Sequence, residues 1–188
     1  MINIRQYLDQ YVKLTDEEWE IFSSKLIKEK LPKKSLLLLK GEVESHLSFV
    51  NKGIVRYYID KKESQYTFGF AFEQEFASAY DSFLTQTPSR YYVEALTEVE
   101  LYRITFEDLQ NAYAMTENGN AIGRALAEEL YLYKFSREMS NQHESATDRY
   151  EQLITKQPYF LKQIPLQYIA SYIGVTPQTL SKIRKRIS

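Results

Sequence analysis

The stretch LQYIASYIGVTPQTLSKIRKRI, residues 166–187, decides the fold at the C-terminal end of the chain. Apolar residues recur at helical spacing on both sides of Gly174, which can adopt the positive φ that a tight turn requires. Ala170 is small enough for two helices to cross closely, and Leu180 can pack the second helix onto the first. The spacing predicts a helix-turn-helix.

The second helix of this motif is predicted to begin at Pro177, because proline suits the first helical position and Thr176 can cap the free backbone N–H groups. Its solvent side carries polar and basic side chains that can bond base edges or phosphates in a major groove. The alternative is an ordinary helical hairpin with a solvated basic end. The candidate DNA-binding residues are Thr176, Pro177, Gln178, Thr179, Ser181, Lys182, Lys185 and Arg186.

The 188-residue chain has a net charge of −1, but its charges are unevenly distributed. Residues 152–188 contain six Lys or Arg and no Asp or Glu, whereas the preceding residues contain 18 basic and 25 acidic side chains, a balance of −7. A basic segment attracts phosphate, and an acidic body limits indiscriminate contact with a duplex. The pattern therefore favours double-stranded DNA as a partner of the terminal segment.

The composition restricts the other classes of site. With 44% hydrophobic residues, the chain can bury one good core and a smaller one, which suits two compact units. It contains no cysteine, and its two histidines, His46 and His143, lie far apart, so we expect no metal, haem or disulfide. The sequence has no signal-like apolar core and no apolar run of about 18 residues, which predicts a cytoplasmic protein that does not cross a membrane.

The sequence pattern of the first half of the chain predicts two helices followed by a β-roll. Helices are predicted over 2–11 and from the capping-box pattern at 15–18 to about residue 25. Short apolar or alternating segments follow, separated by turn residues such as Lys40-Gly41-Glu42, and this spacing predicts an antiparallel sandwich or jelly roll. The predicted strands are 35–39, 47–50, 54–59, 66–72, 91–96 and 99–104.

After residue 104 the apolar period returns to helical, with a short helix opening at Thr105 and a long one over about 117–142. The long helix has a stripe that could pair with its copy in a second subunit and a further apolar surface that includes Phe135 and Met139. The alternative is that both faces pack within one chain. The candidate dimer-interface residues are Ile122, Leu126, Leu130 and Tyr133.

These elements predict three segments. Residues 1–116 form the β-roll, residues 117–143 form the long dimerisation helix, and residues 144–188 form the helix-turn-helix domain, in which no wing is evident. Dimerisation suits the motif, since two copies related by a two-fold axis can read half-sites about one DNA turn apart.

The order of these parts resembles the Crp/Fnr regulators. The most specific residues are the segments FEQEF at 72–76 and PSRYYVEA at 88–95, the Arg149-Tyr150 pair and the terminal motif. The resemblance implies an α+β fold with N-terminal helices, an antiparallel β-roll of the cyclic-nucleotide-binding type, a long dimerisation helix and a C-terminal helix-turn-helix. It also implies a homodimer that binds DNA without enzymatic activity, with RNA polymerase as a further candidate partner.

The resemblance also implies an effector site, but this sequence departs from the family pattern. Family members that bind cyclic AMP place a glutamate on the ribose and an arginine on the phosphate. In this sequence Glu75 aligns with that glutamate. Ser89 aligns with the arginine, and Arg90 follows it by one residue. Lys134 aligns with a position that would contact the adenine base across the dimer. Cyclic AMP is therefore doubtful, and another small effector, or none, remains open.

The resemblance places three residues of the second helix where cyclic-AMP receptors read bases. These positions hold Pro177, Gln178 and Lys182, and a glutamine can pair with adenine whereas a lysine can donate to guanine. We therefore expect a different operator.

A β-barrel followed by terminal helices is also compatible with two other classes of function. A cupin-like enzyme would use the β-barrel, but such chemistry needs clustered metal ligands and the barrel region contains only His46. A signalling or scaffold protein would bind a small molecule in the roll and a protein through its terminal helices. DNA affinity with a steep salt dependence would separate it from a transcription regulator.

Overall fold

The computed structural model describes residues 2–62, 64–156, 158 and 160–187, in which helices flank an antiparallel β-roll. Two compact units are present. The roll unit comprises Met1–Tyr57 and Phe70–Glu129, and the terminal unit comprises Tyr58–Gly69 and Leu130–Ser188. The mixed architecture of helices and β-roll confirms the predicted fold class.

Two short helices open the roll unit, α1 (Ile2–Leu8) and α2 (Asp16–Ser23). The predicted capping box is confirmed, because Thr15 Oγ1 accepts the Glu18 N–H at 3.2 Å while the Glu18 carboxylate accepts the Thr15 N–H at 3.0 Å. The same buried carboxylate accepts the backbone N–H of Asn118 at 2.9 Å. Glu18 therefore ties α2 to a turn 100 residues further along the chain.

The roll is made of two four-stranded sheets and a short helix, α3 (Tyr80–Thr85). Its strands are β1 (Ile27–Leu31), β2 (Leu36–Leu38), β3 (His46–Lys52), β4 (Val55–Lys61), β5 (Ser64–Ala71), β6 (Phe76–Ala77), β7 (Tyr92–Ala95) and β8 (Val99–Thr105). The sheet orders are β1-β8-β3-β6 and β2-β7-β4-β5. The six predicted strands are confirmed, with shifts of up to two residues at their ends. The outer half of the β4–β5 hairpin, Tyr58–Gly69, belongs to the terminal unit.

The strands β1 and β6 were not predicted from the sequence. Strand β1, IKEKL, is an edge strand that pairs antiparallel with β8. Its charges are matched across the pair, because Lys30 lies 2.6 Å from Glu100 and Glu29 forms an ion pair with Arg103. A strand stabilised by cross-strand charges has no apolar alternation, so its sequence carries no strand signal.

Residues of the roll unit fill two cores. The inter-sheet core lies between the two sheets and contains Leu38, Val50, Val55, Ala71, Ala77, Ala79, Val93, Ala95, Val99 and Leu101. The helix-facing core lies between the first sheet and the helices, and contains Ile4, Leu8, Leu14, Phe22, Leu47, Phe49, Phe83, Ile104, Leu109, Ala112 and Ile122. The alternation of β3 divides its residues between the two cores, as expected for a strand buried on both faces.

Helices complete the chain. Their bounds are α4 (Phe106–Met115), α5 (Gly119–His143), α6 (Ala146–Lys156), α7 (Phe160–Gln163), α8 (Leu166–Tyr172) and α9 (Pro177–Ile187). The predicted start of α4 is confirmed, since Thr105 Oγ1 accepts the Asp108 N–H at 3.1 Å. The two compact units divide α5 between Glu129 and Leu130. The three predicted segments, 1–116, 117–143 and 144–188, stay a prediction.

Candidate nucleic-acid interface and β-roll cassette

The turn between α8 and α9 is closed by backbone hydrogen bonds. The Val175 N–H donates to the Ala170 carbonyl at 2.9 Å, and the Gly174 N–H donates to the Ser171 carbonyl at 3.0 Å. This pair of bonds forms a Schellman motif, in which the residue after the helix adopts a left-handed conformation. Gly174 has a φ of +79°, which confirms the turn predicted at this glycine.

The two helices of the turn pack through small and branched apolar side chains. Each of these side chains is at most 6% exposed, as the predicted apolar faces require. Their burial fixes the orientation of α9 relative to α8, so the opposite side of α9 is left at the surface. The buried residues are Ile169, Ala170, Ile173, Leu180 and Ile183.

Helix α9 begins at Pro177, as predicted, and Thr176 caps it by accepting the Thr179 N–H on Oγ1 at 3.2 Å. The Ser181 hydroxyl donates to the Pro177 carbonyl at 3.0 Å within the helix. All of the candidate DNA-binding residues are exposed on α9 or on its cap. They are Thr176, Pro177, Gln178, Thr179, Ser181, Lys182, Lys185 and Arg186.

The exposed face of α9 has unused donors. Gln178, Lys182 and Lys185 follow the i, i+4, i+7 spacing that places side chains on one side of a helix, and Arg186 follows immediately. None of these four has a hydrogen-bond or ion-pair partner among the residues that the structure describes. Since residues 152–188 include no carboxylate side chain, this face attracts an anion.

Arg149 holds the end of α8 in place. Its guanidinium donates to the Ile173 carbonyl from Nε at 3.1 Å and from a terminal nitrogen at 2.9 Å, and it also reaches the Glu144 carbonyl. The neighbouring Tyr150 is 2% exposed. The Arg149-Tyr150 pair, singled out in the sequence, therefore supports the end of α8 and is not part of the exposed face of α9.

Three further contacts in the terminal unit position α8, and sequence reasoning missed them. The Arg137 guanidinium lies 3.7 Å from the centroid of the Tyr172 ring and donates to the Tyr172 carbonyl at 3.2 Å. The Thr67 N–H, in the β4–β5 hairpin, donates to Ser171 Oγ at 2.7 Å. Burial raises the pKa of the Tyr172 phenol, whose hydroxyl lies 3.1 Å from that of Tyr133. No local sequence signal marks contacts between residues so far apart in the chain.

Two of the four residues in the predicted dimer stripe on α5 pack within the chain, whereas Tyr133 is 43% exposed. Ile122 is 4% exposed in the helix-facing core and Leu126 is partly buried against the same core. Leu130 is half-buried, and the Tyr133 hydroxyl meets Tyr172. Ile122 and Leu126 therefore serve intrachain packing, which is the alternative left open for this stripe, and do not lie free for a second subunit.

A different set of apolar side chains is exposed on α5. Tyr131 is 66% exposed and Leu132 is 63% exposed. Phe135 and Met139, which are 51% and 40% exposed, lie on the same side at helical spacing, and the rings of Tyr131 and Phe135 stack at 6.2 Å. This surface, defined by Tyr131, Leu132, Phe135 and Met139, is the exposed apolar surface of α5.

The candidate effector residues of the roll are engaged with their own neighbours. The Glu75 carboxylate accepts the Phe72 N–H at 2.9 Å, and burial raises the pKa of its carboxyl group. Ser89 is 3% exposed, and its hydroxyl donates to the Tyr91 carbonyl at 2.9 Å. Each side chain thus stabilises the local backbone.

Each of the two candidate cations of the effector site has a neighbour in its own unit. The Arg90 side chain is 88% exposed and lies 3.9 Å from the Asp81 carboxylate, and Lys134 belongs to the terminal unit, with its ammonium 5.6 Å from the centroid of the Phe68 ring. Glu75, Ser89 and Arg90 each contact a neighbour in the roll unit. The effector residues that the resemblance implies stay a prediction.

Among the described residues, no group of three or more His, Cys, Asp or Glu side chains could hold a metal ion. None of the helices in the described part of the chain is long and apolar enough to span a bilayer.

Comparisons with known proteins agree with this architecture. Residues 28–115 match the cyclic nucleotide-binding domain family. No curated protein matches the sequence. The fold is similar to that of FixK2 from Bradyrhizobium japonicum, with a TM-score of 0.74 at 13% identity over 86% of this chain and 84% of that one.

Two more solved structures extend the likeness over nearly the whole chain. A protein from Eubacterium rectale described as a transcriptional regulator of the Crp/Fnr family has a TM-score of 0.72 at 15% identity, over 97% of this chain and 87% of that one. A mutant of CooA from Carboxydothermus hydrogenoformans has a TM-score of 0.68 at 14% identity, over 94% and 87%. The chain thus has the fold of Crp/Fnr regulators.

Proposed function

We propose that this protein is a homodimeric, DNA-binding transcriptional regulator of Crp/Fnr type, whose β-roll is a site of control by a small effector if it has one. The observation that carries the proposal is the exposed face of α9. Gln178, Lys182, Lys185 and Arg186 project from a capped helix in a basic segment without carboxylates. Such a helix fits a major groove, where donors can meet base edges and phosphates.

The side chains of α9 suggest a division of roles. Gln178 lies in the first turn, where it can pair bidentately with adenine, and Lys182 lies one turn further, where it can donate to guanine. Lys185 and Arg186, near the end of the helix, suit the phosphates, which give affinity without sequence preference. Thr176, Pro177, Thr179 and Ser181 form the rim of this surface.

Dimerisation would place two such helices on one duplex. Of the predicted interface residues, Leu130 and Tyr133 lie on the same side of α5 as the buried Ile122. We therefore assign the partner contact to the exposed apolar surface of α5. Aromatic and methionine side chains are enriched at protein interfaces, and a two-fold axis there would pair the helices as in a coiled coil.

The matched domain and the Crp/Fnr neighbours support a regulator over an enzyme. The second candidate is a scaffold protein that uses its terminal helices to bind protein. The open donors of α9 favour DNA, because a protein-binding helix would present an apolar face. As a DNA-binding regulator, the protein would act in the cytoplasm, which is the location predicted from the sequence.

DNA binding is tested by selecting genomic fragments on the purified full chain and titrating a selected duplex by fluorescence anisotropy. Lys182→Ala should weaken binding by about 1–3 kcal/mol and relax the preference at one base pair, whereas Lys185→Ala should weaken binding to all duplexes and reduce the salt slope by about 1. Lys33→Ala, an exposed lysine of the roll unit, is the charge-matched control. Equal affinity of all four proteins would refute the assignment of α9.

The oligomeric state is tested by light scattering coupled to gel filtration. The wild type should elute as a dimer and Phe135→Glu as a monomer, because the substitution places a charge in the exposed apolar surface of α5. Asn141→Glu adds the same charge at an exposed position of the same helix outside that surface and should remain dimeric. A monomeric wild type, or a dimeric Phe135→Glu variant, would overturn the interface.

A further inference from the structure

Two tyrosines fill space inside the roll. Tyr57, on β4, and Tyr91, just before β7, both pack against the inter-sheet core. Their rings meet edge to face, with centroids 6.4 Å apart and planes at 73°. Both rings are half-buried, so two side chains of the chain itself take up space beside the inter-sheet core.

The hydroxyls of these rings bond the segment around α3. The Ser78 N–H donates to the Tyr57 hydroxyl at 3.2 Å, and the Tyr91 hydroxyl donates to the Asp81 carboxylate. The Ser78 N–H and the Asp81 carboxylate are thus both bonded to tyrosines of the same unit. Burial and the bond to Asp81 raise the pKa of the Tyr91 phenol, so it remains a neutral donor.

A buried carboxylate takes the next backbone donor. Glu44 is 4% exposed, and its carboxylate accepts the Ala79 N–H at 3.3 Å and the His46 N–H at 3.0 Å. Its own N–H donates to Ser82 Oγ at 3.0 Å, and the Ser82 hydroxyl donates to the Thr87 carbonyl. The N–H groups of Ser78 and Ala79, which precede α3, are therefore both bonded to protein oxygens.

The charge of the same segment disfavours an anion. Residues 72–95, to which the resemblance assigns the ribose and phosphate contacts, contain four carboxylates, Glu73, Glu75, Asp81 and Glu94, and a single cation, Arg90. The buried Arg56 of β4 lies 3.5 Å from Glu94, so this second cation of the roll unit has a carboxylate partner. Arg90 points to solvent beside Asp81. A cyclic nucleotide carries a phosphodiester anion, which needs open donors and a nearby cation when it leaves water.

We infer that the roll of this chain excludes cyclic nucleotides. The rings of Tyr57 and Tyr91 take up the space that a nucleotide would need, and the Tyr57 hydroxyl and the Glu44 carboxylate accept the N–H groups of Ser78 and Ala79. The inference concerns the roll unit alone and does not depend on DNA binding. It goes beyond the altered cassette seen in the sequence, because it names the side chains that replace the ligand.

The first test is equilibrium dialysis of the full chain against cyclic AMP and cyclic GMP, with a cyclic-AMP-binding protein as positive control. No saturable binding is expected at nucleotide concentrations up to about 1 mM. Saturable one-to-one binding of either nucleotide below that concentration would overturn the inference, whatever the outcome of the DNA titrations.

The second test measures amide exchange by NMR in the ligand-free chain. The Ser78 and Ala79 amides should both be protected, and Tyr57→Phe, which keeps the ring and removes the hydroxyl, should speed exchange at Ser78 by about fivefold, since one neutral hydrogen bond is lost. Ala79, held by Glu44, should be unchanged and is the internal control. Unprotected amides in the wild type, or equal acceleration at both positions, would contradict the proposal.

Discussion

Three carboxylates of the roll unit and the exposed face of α9 in the terminal unit differ in how their polar groups are bonded. In the roll unit, the carboxylates of Glu18, Glu44 and Glu75 turn inward and accept backbone N–H groups. On α9 of the terminal unit, Gln178 and Lys182 lie at the surface with no partner among the described residues. A buried polar group must be bonded within the fold, and a group so bonded is unavailable to a ligand.

This difference separates stability from function. Substituting the inward carboxylates should destabilise the fold and leave the DNA affinity of the folded protein unchanged. Substituting the exposed side chains of α9 should lower DNA affinity and leave the free energy of unfolding nearly unchanged. The contrast fails if variants of either region change both quantities to similar degrees.

The largest effect is expected in the helix-facing core. Phe49 is fully buried, with its ring edge-on to Tyr7 at 5.9 Å and to Phe76 at 5.3 Å. Phe49→Ala should lower the free energy of unfolding by about 3–5 kcal/mol, because it removes apolar contacts and leaves a cavity. Urea unfolding measures the loss. Leu84→Ala, at a leucine that is 53% exposed, is the control, and an equal loss there would show that Phe49 is not central.

A smaller loss of stability is expected at Glu18. Its carboxylate accepts N–H groups from Thr15 and Asn118 while 8% exposed. Glu18→Ala should cost about 2 kcal/mol of unfolding free energy, since it leaves these donors without their acceptor. Glu17→Ala, at an exposed neighbour in the same helical turn, should cost much less. A shift in DNA affinity for the folded Glu18→Ala protein would weaken the contrast between the units.

The stabilisation from Glu18 should also depend on pH. Hydrogen bonds from Asn118 and Thr15 hold the pKa of its carboxyl group below the ordinary value. The lowered pKa of the folded state stabilises the protein above the ordinary pKa of a glutamate, and this contribution is lost as the pH falls through the folded-state pKa. The difference in unfolding free energy between wild type and Glu18→Gln should therefore shrink in acid. A difference that grows in acid would reverse the assigned sign.

At the turn before α9 we expect a loss of about 1 kcal/mol in unfolding free energy for Gly174→Ala, because an L-residue is strained at its φ of +79°. Gly174→Asn should lose less, since asparagine tolerates the left-handed region better than alanine. Chemical denaturation followed by circular dichroism compares the two. If alanine and asparagine are equally tolerated, the turn does not depend on the backbone conformation of Gly174.

The smallest effect on stability is expected at Gln178. Its side chain is exposed, so Gln178→Ala should change the free energy of unfolding by less than about 0.5 kcal/mol. The same variant should lose preference at one base pair of a selected operator. Thermal unfolding and anisotropy on one preparation measure both. A destabilised Gln178→Ala protein with unaltered DNA preference would be the opposite of the expected pattern.

Local sequence signals predicted much of this structure. The cap at Thr176, the helix start at Pro177, the glycine turn and the capping box of α2 all depend on residues within a few positions of each other, so they could be identified from the sequence. The roll could be predicted because its central strands alternate and are separated by turn residues. Strand β1 could not, because its stability comes from charges on β8.

The candidate sites divide in the same way. Exposure of the α9 face followed from the apolar spacing of Leu180 and Ile183, which assigns the other side of the helix to solvent. The orientation of Arg90 and the bonding of Glu75 did not follow, because each depends on neighbours that the fold brings close. The resemblance assigned these residues to a ligand, which stays a prediction, whereas the structure shows Glu75 bonded to the backbone and Arg90 exposed beside Asp81.

The sequence by itself determined the glycine turn and cap that precede α9, six of the eight strands and the basic charge of the terminal segment, since each depends on short-range spacing or composition. Only the tertiary structure decided which face of α5 is exposed and which groups fill the roll. It also decided how the Thr67 N–H reaches Ser171 across 104 residues. The physical reason is that burial and hydrogen bonding depend on distances in space, which the chain acquires only when it folds.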